Sequence, residues 1–513
     1  MIQSAPIQKK DPIALTVVGI VLLIGALIAA LVLVVLPALT ELLISLTAYK
    51  PLQGLFGSAW VGLGNFQRIF SDQNFVTTIS PTMAYGLMSS LMLFVTSIVT
   101  GYLLLAVGKI RWLRIGFSTL LLIPLFIPSE VLANLFFRTR LIPTPSNIGV
   151  LLLMIALCTV RYVGLPAILV SAAISRGKRS WSVPLMAGGV AALLVFSLMG
   201  LFDFPFMRLM PIRMIGLWGM DAYSYRNLVG GGFGQGAAAQ IITAIIRGFL
   251  LLLTAFPIGL MIKRLFPQGI AADGDTIKDR MQALILPGGV VLLASGVLAA
   301  MALPSIAAGR FSLYGSLPMY ILIAFVSAGI NTILCYCLAR PAVTAGKGGK
   351  TAMLLVLALL TMLTAGEGPL SVARYILYRG ISFTNPWLAI LLSGIGAVWG
   401  VWPLIVAGRA MGVHNNTDWF RRMWKPSLAL FAMQAALLMN SGMTSFVYHN
   451  MQDIRDMNHP LIATTQMIMK NTNAVSDLAL LTLMTTALPI LLLLIVRIAF
   501  REEESLGLFL PGR

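Results

Sequence analysis

Two long runs of apolar residues constrain this chain more than any other feature. They extend from Ile13 to Leu36 and from Leu478 to Val496 without a charged side chain. A helix of about 20 residues rises about 30 Å, which is the thickness of the hydrocarbon core of a bilayer. Only 10% of the 513 residues are charged, whereas soluble domains carry about 25% charged residues. The sequence therefore predicts an all-α polytopic membrane protein, because it has too few polar residues for a water-facing surface.

Apolar runs separated by charged residues, Pro and Gly predict about 12 transmembrane helices. The expected helix starts lie near residues 14, 82, 115, 147, 183, 237, 283, 317, 352, 386, 426 and 477. With the amino terminus inside, most of the 36 Lys and Arg residues fall in cytoplasmic segments, as basic residues do in membrane proteins. The net charge of +19 therefore indicates topology rather than nucleic-acid binding. Both termini are expected in the cytoplasm.

A polar segment near the middle of the chain divides the expected helices into six and six. Between Lys263 and Arg280 it contains Pro267, two Gly and three Asp residues, a composition typical of a linker. We expect a first six-helix half over residues 1–265, a cytoplasmic linker over 266–281 and a second half over 282–513. Paired bundles of this kind are typical of transporters whose pathway lies between the halves.

Several stretches resemble one known family. Residues Pro37 to Phe75 read PALTELLISLTAYKPLQGLFGSAWVGLGNFQRIFSDQNF, which is similar to the stretch after the first helix in sugar-type permeases of binding-protein-dependent ABC importers. Residues Asp221 to Gln240 (DAYSYRNLVGGGFGQGAAAQ) resemble the end of the same permease half. In the remainder, Asn331-Thr332 with Leu338-Ala339-Arg340, and Gly366 to Ala389 (GEGPLSVARYILYRGISFTNPWLA), resemble the companion half.

The resemblance implies two partner permeases fused into one polypeptide, with the fold of a type I ABC importer permease. It implies a multi-pass protein of the bacterial cytoplasmic membrane that is not itself an enzyme and carries no cofactor or metal. Its partners would be a cytoplasmic ABC ATPase dimer and an extracellular substrate-binding protein. Its substrate would be an oligosaccharide.

The family carries a short cytoplasmic "EAA...G" segment after the fourth helix of each half, and this segment docks on the ATPase. By the resemblance, the coupling residues of this chain are Ser171, Ala172, Ala173, Arg176, Gly177, Ala407, Gly408, Arg409, Met411 and Gly412. The acidic residues of the pattern are lost in both copies, whereas its small residues and the glycine that ends the helix remain. Acidic residues in a first turn favour the helix dipole and attract basic partners, so their loss places normal coupling in question. The alternative interpretation is that each loop is only a basic cytoplasmic turn.

Candidates for a substrate pathway are polar or aromatic residues inside the expected helices: Arg161, Arg247, Asn331, Trp399 and Trp402. A guanidinium at membrane depth costs at least about 2.5 kcal/mol unless it is paired or hydrated. The two Arg residues are therefore functional groups, or else they belong to structural ion pairs or extend to the membrane surface. Asn331 offers a hydrogen-bonding group and the Trp residues offer flat faces for sugar rings, with helix packing as the alternative use.

Three acidic residues, Glu41, Glu130 and Glu367, lie near the expected outer ends of helices. A carboxylate there reaches water at little cost, which favours positional or loop-capping roles over proton relay. The motif GKGGKT, from Gly346 to Thr351, lacks one glycine and the preceding strand of a phosphate-binding loop, so we expect a flexible basic loop there.

The remaining reactive side chains predict no catalytic or metal site. Cys158, Cys335 and Cys337 lie in apolar runs and are expected to be packed thiols. The three His residues are too scattered for a metal centre. The predicted function is thus the permease component of an ABC-type importer, which moves substrate by alternating access. Two alternatives stay open: a permease-derived membrane sensor or scaffold without transport, and an ion-coupled secondary carrier, which would need a buried carboxylate near the bilayer midplane.

Overall fold

The architecture comes from a computed structural model and is predominantly helical. The described residues are 12–107, 110–127, 147–176, 189, 220, 223–224, 227, 230–246, 248–249, 276–309, 317–364, 372–374, 376–378, 386–396, 398–439 and 475–500. Some predictions concern residues outside these ranges: Arg247, Gly177, Glu130, Glu367 and the expected helix start near residue 183.

The helices are numbered in chain order. They are α1 (Ile13–Ala30), α2 (Leu36–Ser45), α3 (Gly54–Gly57), α4 (Gly64–Ser71), α5 (Gln73–Val107), α6 (Arg111–Leu122), α7 (Asn147–Tyr162), α8 (Gly164–Arg176), α9 (Phe233–Ile246), α10 (Ile277–Ala283), α11 (Ile285–Ala307), α12 (Leu317–Thr344), α13 (Lys347–Thr364), α14 (Pro386–Gly394), α15 (Val401–Ala410), α16 (Asn416–Arg422), α17 (Trp424–Leu438) and α18 (Val475–Ala499). Short 3-10 turns cover Ile123–Phe126 and Val398–Gly400. Strands β1 (Thr47–Lys50) and β2 (Ser58–Trp60) form an antiparallel hairpin, which the sequence did not predict.

Five helical segments among the described residues are long and apolar enough to cross a membrane. They are Ile13–Ser45, Gln73–Val107, Ile277–Ala307, Pro318–Thr344 and Val475–Ala499. Their apolar side chains are not all buried by protein: on α11, Leu292 is 74% exposed and Leu293 is 73% exposed. Such a surface is covered by lipid rather than by water. These features are those of an all-α, multi-pass membrane protein.

The first segment is longer than its apolar run. Pro37 does not end it, because a π-turn over Leu31–Val35 precedes the proline and the helix continues to Ser45. In this turn the Leu36 N–H donates to the carbonyl of Leu31, five residues earlier instead of four. Pro37 has no N–H for the carbonyl of Leu33, and the wide turn accommodates that loss. Residues up to Ser45 are therefore part of the span.

Two polar segments are more regular than the sequence suggests. The expected linker over 266–281 ends in helix α10, which starts at Ile277 because Thr276 and Asp279 form a reciprocal capping box. The expected flexible loop at GKGGKT is wrong beyond Gly346. Helix α13 starts at Lys347, and the Lys350 N–H donates to the carbonyl of Gly346 at 2.9 Å. The three cysteines are free and buried, as predicted.

Two pairs of helices are interrupted in a similar way. Helices α7 and α8 break at Val163, and α14 is followed by the non-helical residues Ile395 and Gly396 before α15. The second helix of each pair has Pro as its third residue, Pro166 or Pro403, and Pro cannot donate to the preceding turn. Helix α8 packs on α5, and α15 packs on α12. The α5–α8 contact is close, because a Cβ on Gly101 would lie 2.6 Å from Cγ1 of Val170.

Helices from the two expected halves interleave. Helix α1 packs on α12 and contacts α16, whereas α6 contacts α10 and α11. One buried core joins Val34 with Leu338 and Leu404. A second core joins Phe126 with Leu493. Each core therefore contains residues from both 1–265 and 282–513.

Candidate functional site

The break between α14 and α15 is held by a buried amide. Asn331, on α12, is fully buried. Its Nδ2 donates to the carbonyl of Gly394 at 2.8 Å, and its Oδ1 accepts the Gly396 N–H at 2.7 Å. Gly396 has a φ of 108°, which a residue with a Cβ rarely adopts. Asn331 thus satisfies main-chain groups that lose their helical partners where the helix stops.

The π-turn of the first span lies against this break. A Cβ on Gly396 would lie 3.3 Å from Cγ2 of Val34, 3.3 Å from Nη2 of Arg374 and 3.7 Å from the carbonyl oxygen of Leu33. A wide helical turn, a broken helix and a guanidinium therefore meet at one glycine. Irregular backbone of this kind inside a membrane protein is tolerated where it is buried in protein or lines a cavity, and it often marks functional sites.

Glu41 lies on the same helical span as the π-turn and is part of this region. Its Oε2 accepts the Ala373 N–H at 2.6 Å, and residues 372–374 are helical. The carboxyl group is 1% exposed, and its Oε1 has no hydrogen-bond partner in the described part of the chain. The expected role in capping a neighbouring segment matches the Ala373 contact. The expectation that this carboxylate reaches water is wrong, because α2 continues past Pro37 and buries it.

Both predicted tryptophans follow the break directly. Trp399 lies in the 3-10 turn and Trp402 in the first turn of α15, and both are partly buried. The Trp402 Nε1 donates to Oγ1 of Thr361 at 3.0 Å. Asn331, Trp399 and Trp402 therefore lie in one region, whereas Arg161, assigned to the same pathway, lies at the other break. The ring of Trp402 also packs between helices, the alternative use that the sequence allowed.

Arg161 lies at the other break. It is in the last turn of α7, two residues before the break at Val163, and its guanidinium carbon lies 5.4 Å from the ring centroid of Tyr162. A cation at a helix carboxyl terminus interacts favourably with the helix dipole. The α7–α8 break leaves space for backbone only, because a Cβ on Gly164 would lie 2.2 Å from the carbonyl oxygen of Leu121.

The second predicted coupling segment is the end of α15. The Gly412 N–H donates to the carbonyl of Arg409 at 3.1 Å and the Val413 N–H donates to that of Gly408 at 2.9 Å. With a φ of 64° at Gly412, these bonds form a Schellman motif, so the helix ends at the glycine as predicted. Arg409 and Gly412 are exposed, Met411 is partly exposed, and Ala407 and Gly408 are buried.

Helix α16 follows this turn and is fixed from two sides. Asn415 caps it by accepting the Asp418 N–H at 2.7 Å, and the buried ring of Trp419 lies against the Tyr336 ring. Arg340 of α12, 6% exposed, donates through Nη1 to Oδ1 of Asn416 at 2.7 Å and through Nη2 to the carbonyl of Gly19. A side chain on Gly19 would overlap that guanidinium. Arg340 thus joins the first helix to α16, the helix that follows the second coupling segment.

In the first predicted coupling segment, the side chain that the structure describes is that of Ser171. Ser171, Ala172, Ala173 and Arg176 all lie in the last two turns of α8. Ser171 is fully buried, in the helix that packs on α5. Its hydroxyl has no hydrogen-bond partner within the described ranges. Ser171 therefore belongs to the helix packing and not to an exposed face.

Comparisons with family models, with curated proteins and with solved structures found no match. The site is therefore interpreted from its own geometry. Within the described ranges, no three His, Cys, Asp or Glu side chains are grouped so that they could hold a metal ion. The sequence missed Gly396 and Arg374 as members of the site. Arg374 lies within the stretch that resembles the companion permease, and Gly396 lies after it. A Gly seven residues before Pro403 gives only a weak signal of a helix break.

Proposed function

We propose that this chain is the membrane-spanning permease component of an ABC-type importer for oligosaccharides. Its twelve helices form two six-helix halves over 1–265 and 282–513 in a bacterial cytoplasmic membrane, with both termini inside. A separate cytoplasmic ATPase dimer supplies the energy. An extracellular substrate-binding protein delivers the sugar, and alternating access moves it across the bilayer.

The observation that carries this proposal is the position of α15. This helix of about 15 Å follows the Gly396 break at one end and finishes in exposed Arg409 and Gly412 at the other. Trp402 lies in its first turn. Because the helix is rigid, a displacement imposed on Gly412 by a partner moves the residues around Gly396. This is the mechanical link that an ATP-driven permease needs between its coupling surface and its pathway.

The break also supplies the chemistry of a sugar pathway. Partly buried Trp399 and Trp402 provide apolar ring faces. Main-chain groups at Gly394 and Gly396, where the helix stops, provide polar contacts close to them, and Asn331 keeps this backbone in place. Discontinuous helices of this kind form substrate sites in many transporters. The similar break at Val163, beside Arg161, supports the proposal that the other half forms a second wall of the substrate pathway.

Charge reversal at Arg409 tests the coupling surface. The full chain is purified in nanodiscs with candidate ABC ATPase subunits, and ATP hydrolysis is measured with and without binding protein and oligosaccharide. We expect R409E to weaken ATPase binding about tenfold or more, because it reverses an exposed charge at the proposed interface. R68E makes the same change on exposed α4 and should leave binding unchanged. No complex with any ATPase, or equal effects of both variants, would contradict the proposal.

A specific observation also favours the ion-coupled carrier as a second candidate. Glu41 is a buried carboxylate within a membrane span, although it lies near the end of that span and not at its middle, and its Oε1 is unpaired in the described part of the chain. E41Q keeps an oxygen that accepts the Ala373 N–H but removes the titratable group. In proteoliposomes without ATPase, a carrier would take up sugar under an imposed proton gradient and lose this uptake in E41Q. For the importer we expect no uptake without ATPase in either protein.

The scaffold alternative has support from the first coupling segment. Ser171 is buried, and Arg176 stands where the family pattern has an acidic residue. A chain that had lost transport would bind partners without stimulating ATP hydrolysis. The same nanodisc assay distinguishes a scaffold from an importer. A scaffold would form the complex, but binding protein and sugar would not change its rate of ATP hydrolysis.

A further inference from the structure

Four arginines gather where α6, α10 and α18 meet. Arg111 and Arg114 lie in the first turn of α6, Arg280 lies in α10 and Arg497 lies in the last turn of α18. We call them the arginine cluster. Helix α10 contacts both α6 and α18. Arg497 donates through Nε to Oγ1 of Thr119 and through Nη2 to Oγ of Ser118, each at 3.0 Å, which fixes α18 against α6.

Arg280 is the unusual member of the cluster. Its side chain is 7% exposed, and Nε and Nη1 are buried without a hydrogen-bond partner in the part of the chain that is described. Ala283 and Pro287 lie on the same helical face, and a Cβ on Gly116 of α6 would lie 2.8 Å from the Ala283 carbonyl oxygen and 3.7 Å from Cδ of Pro287. Arg280 is one turn before Ala283 on this face. Arg280 therefore lies on the face of α10 that packs on α6.

The described residues of these elements supply little negative charge in return. Asp279 is the acidic residue beside Arg280, and its Oδ2 already accepts the Thr276 N–H at 3.2 Å and the Thr276 hydroxyl at 2.7 Å. Asp477 lies at the opposite end of α18. A guanidinium removed from water is costly unless an anion pairs with it. Asp279 also faces the charge of Arg111. The buried charge of Arg280 therefore has no anionic partner among the described residues of these elements, and an anion from outside them would balance it.

The surroundings indicate what carries that anion. Arg280 and Arg497 lie at the ends of two candidate membrane spans, which is the depth of lipid headgroups. Next to Arg280, a stripe of apolar side chains is exposed: Ile277 is 66% exposed, Met281 60% and Ile285 69%. Phosphate oxygens match the planar donor arrangement of Arg, and acyl chains cover apolar stripes. We propose that the arginine cluster binds the phosphate headgroup of an anionic phospholipid, with its acyl chains along this stripe.

The test compares lipids and a free anion on the full chain in a mild non-ionic detergent. Thermal unfolding is followed by tryptophan fluorescence, and retained lipid is identified by native mass spectrometry. Mixed micelles with phosphatidylglycerol are compared with phosphatidylcholine micelles and with inorganic phosphate. We expect phosphatidylglycerol to raise the unfolding temperature and to remain bound. Equal stabilisation by phosphatidylcholine, or replacement by inorganic phosphate alone, would overturn the lipid site.

Variants connect the lipid to the cluster. R280M removes the buried charge while keeping most of the volume, and we expect the apparent affinity for phosphatidylglycerol to fall about tenfold or more, as expected for loss of a charge-assisted hydrogen bond. R421Q removes an exposed charge from α16, outside the cluster, and should bind lipid like the unmodified chain. If R280M does not fold, R111Q at an exposed cluster position replaces it, with the same expected direction. Unchanged affinity in the folded cluster variant would refute the proposal.

Discussion

Asn331 stabilises the break between α14 and α15 because its side chain replaces main-chain hydrogen-bond partners. Its amide accepts from the buried Gly396 N–H and donates to the partly buried Gly394 carbonyl, and the Asn331 side chain itself is fully buried. Leucine has a similar volume and cannot form either bond. Each buried group left unpaired costs about 1–3 kcal/mol.

We therefore predict that N331L lowers the unfolding temperature strongly, since two backbone groups lose their partner at once. The measurement is a thermal melt in detergent followed by tryptophan fluorescence. I330L, at the neighbouring, partly lipid-facing position, is the matched control and should leave the melt within a degree or two. Equal melting temperatures for the two variants would show that Asn331 does not hold the break.

The sequence could identify Asn331, Trp399 and Trp402 as a group because polar and aromatic residues stand out within apolar runs. It could not identify what Asn331 binds. Its partners are a carbonyl and an N–H, which every residue except proline carries, so the sequence gives no sign of them. The position of Gly396 in left-handed backbone is set by the packing of α12 and of the first span, and only the assembled helices reveal it.

At the scale of elements, long apolar runs were sufficient to place about half of the predicted helix starts. The predicted starts near 14, 147, 317, 386, 426 and 477 lie within two residues of observed helix starts. The first span was underestimated because a proline in an apolar run normally indicates an end. A π-turn has no composition signal of its own, since it depends on one extra residue being accommodated by neighbouring helices. The sequence therefore suggests that Glu41, near the outer end of its helix, reaches water, whereas the side chain is buried.

The hairpin β1–β2 was missed for a related reason. Its strands are only four and three residues long, too short for a clear alternation of apolar and polar residues. Their pairing is stabilised by nearby contacts such as Asn65, whose Nδ2 donates to the carbonyls of Ser45 and Thr47 at 2.9 and 2.8 Å. These partners are separated by about 20 residues along the chain, and a local pattern does not contain them.

At the scale of the whole molecule, contacts between the two expected halves are as important as contacts within them. Arg340 binds the backbone of Gly19, and Glu41 binds that of Ala373. Both bonds join residues 1–265 to residues 282–513, although more than 300 positions separate the partners along the chain. Sequence periodicity predicts helices but not which helix packs on which. The contacts between the two expected halves therefore could not be predicted.

We predict that the chain functions when divided at the linker but that neither piece is stable alone. Pieces 1–265 and 282–513, expressed together with a tag on one, should co-purify in equal amounts, because α1 buries apolar and polar surface on α12. Expressed separately, each should aggregate during size-exclusion chromatography in detergent. A monodisperse, helical single piece would contradict the interleaved packing.

The wide turn at Leu31–Val35 also sets the direction of all that follows it. One additional residue in a helix rotates the later residues by about 100° about the axis, so the upper part of the first rod has a different outward face from the lower part. Deleting one residue from this turn would restore a uniform winding and would swing the Glu41 carboxyl away from Ala373 toward hydrocarbon. The extra residue therefore sets the rotation of the helix that follows it. The Glu41 carboxyl stays inside the protein only as long as this residue is present.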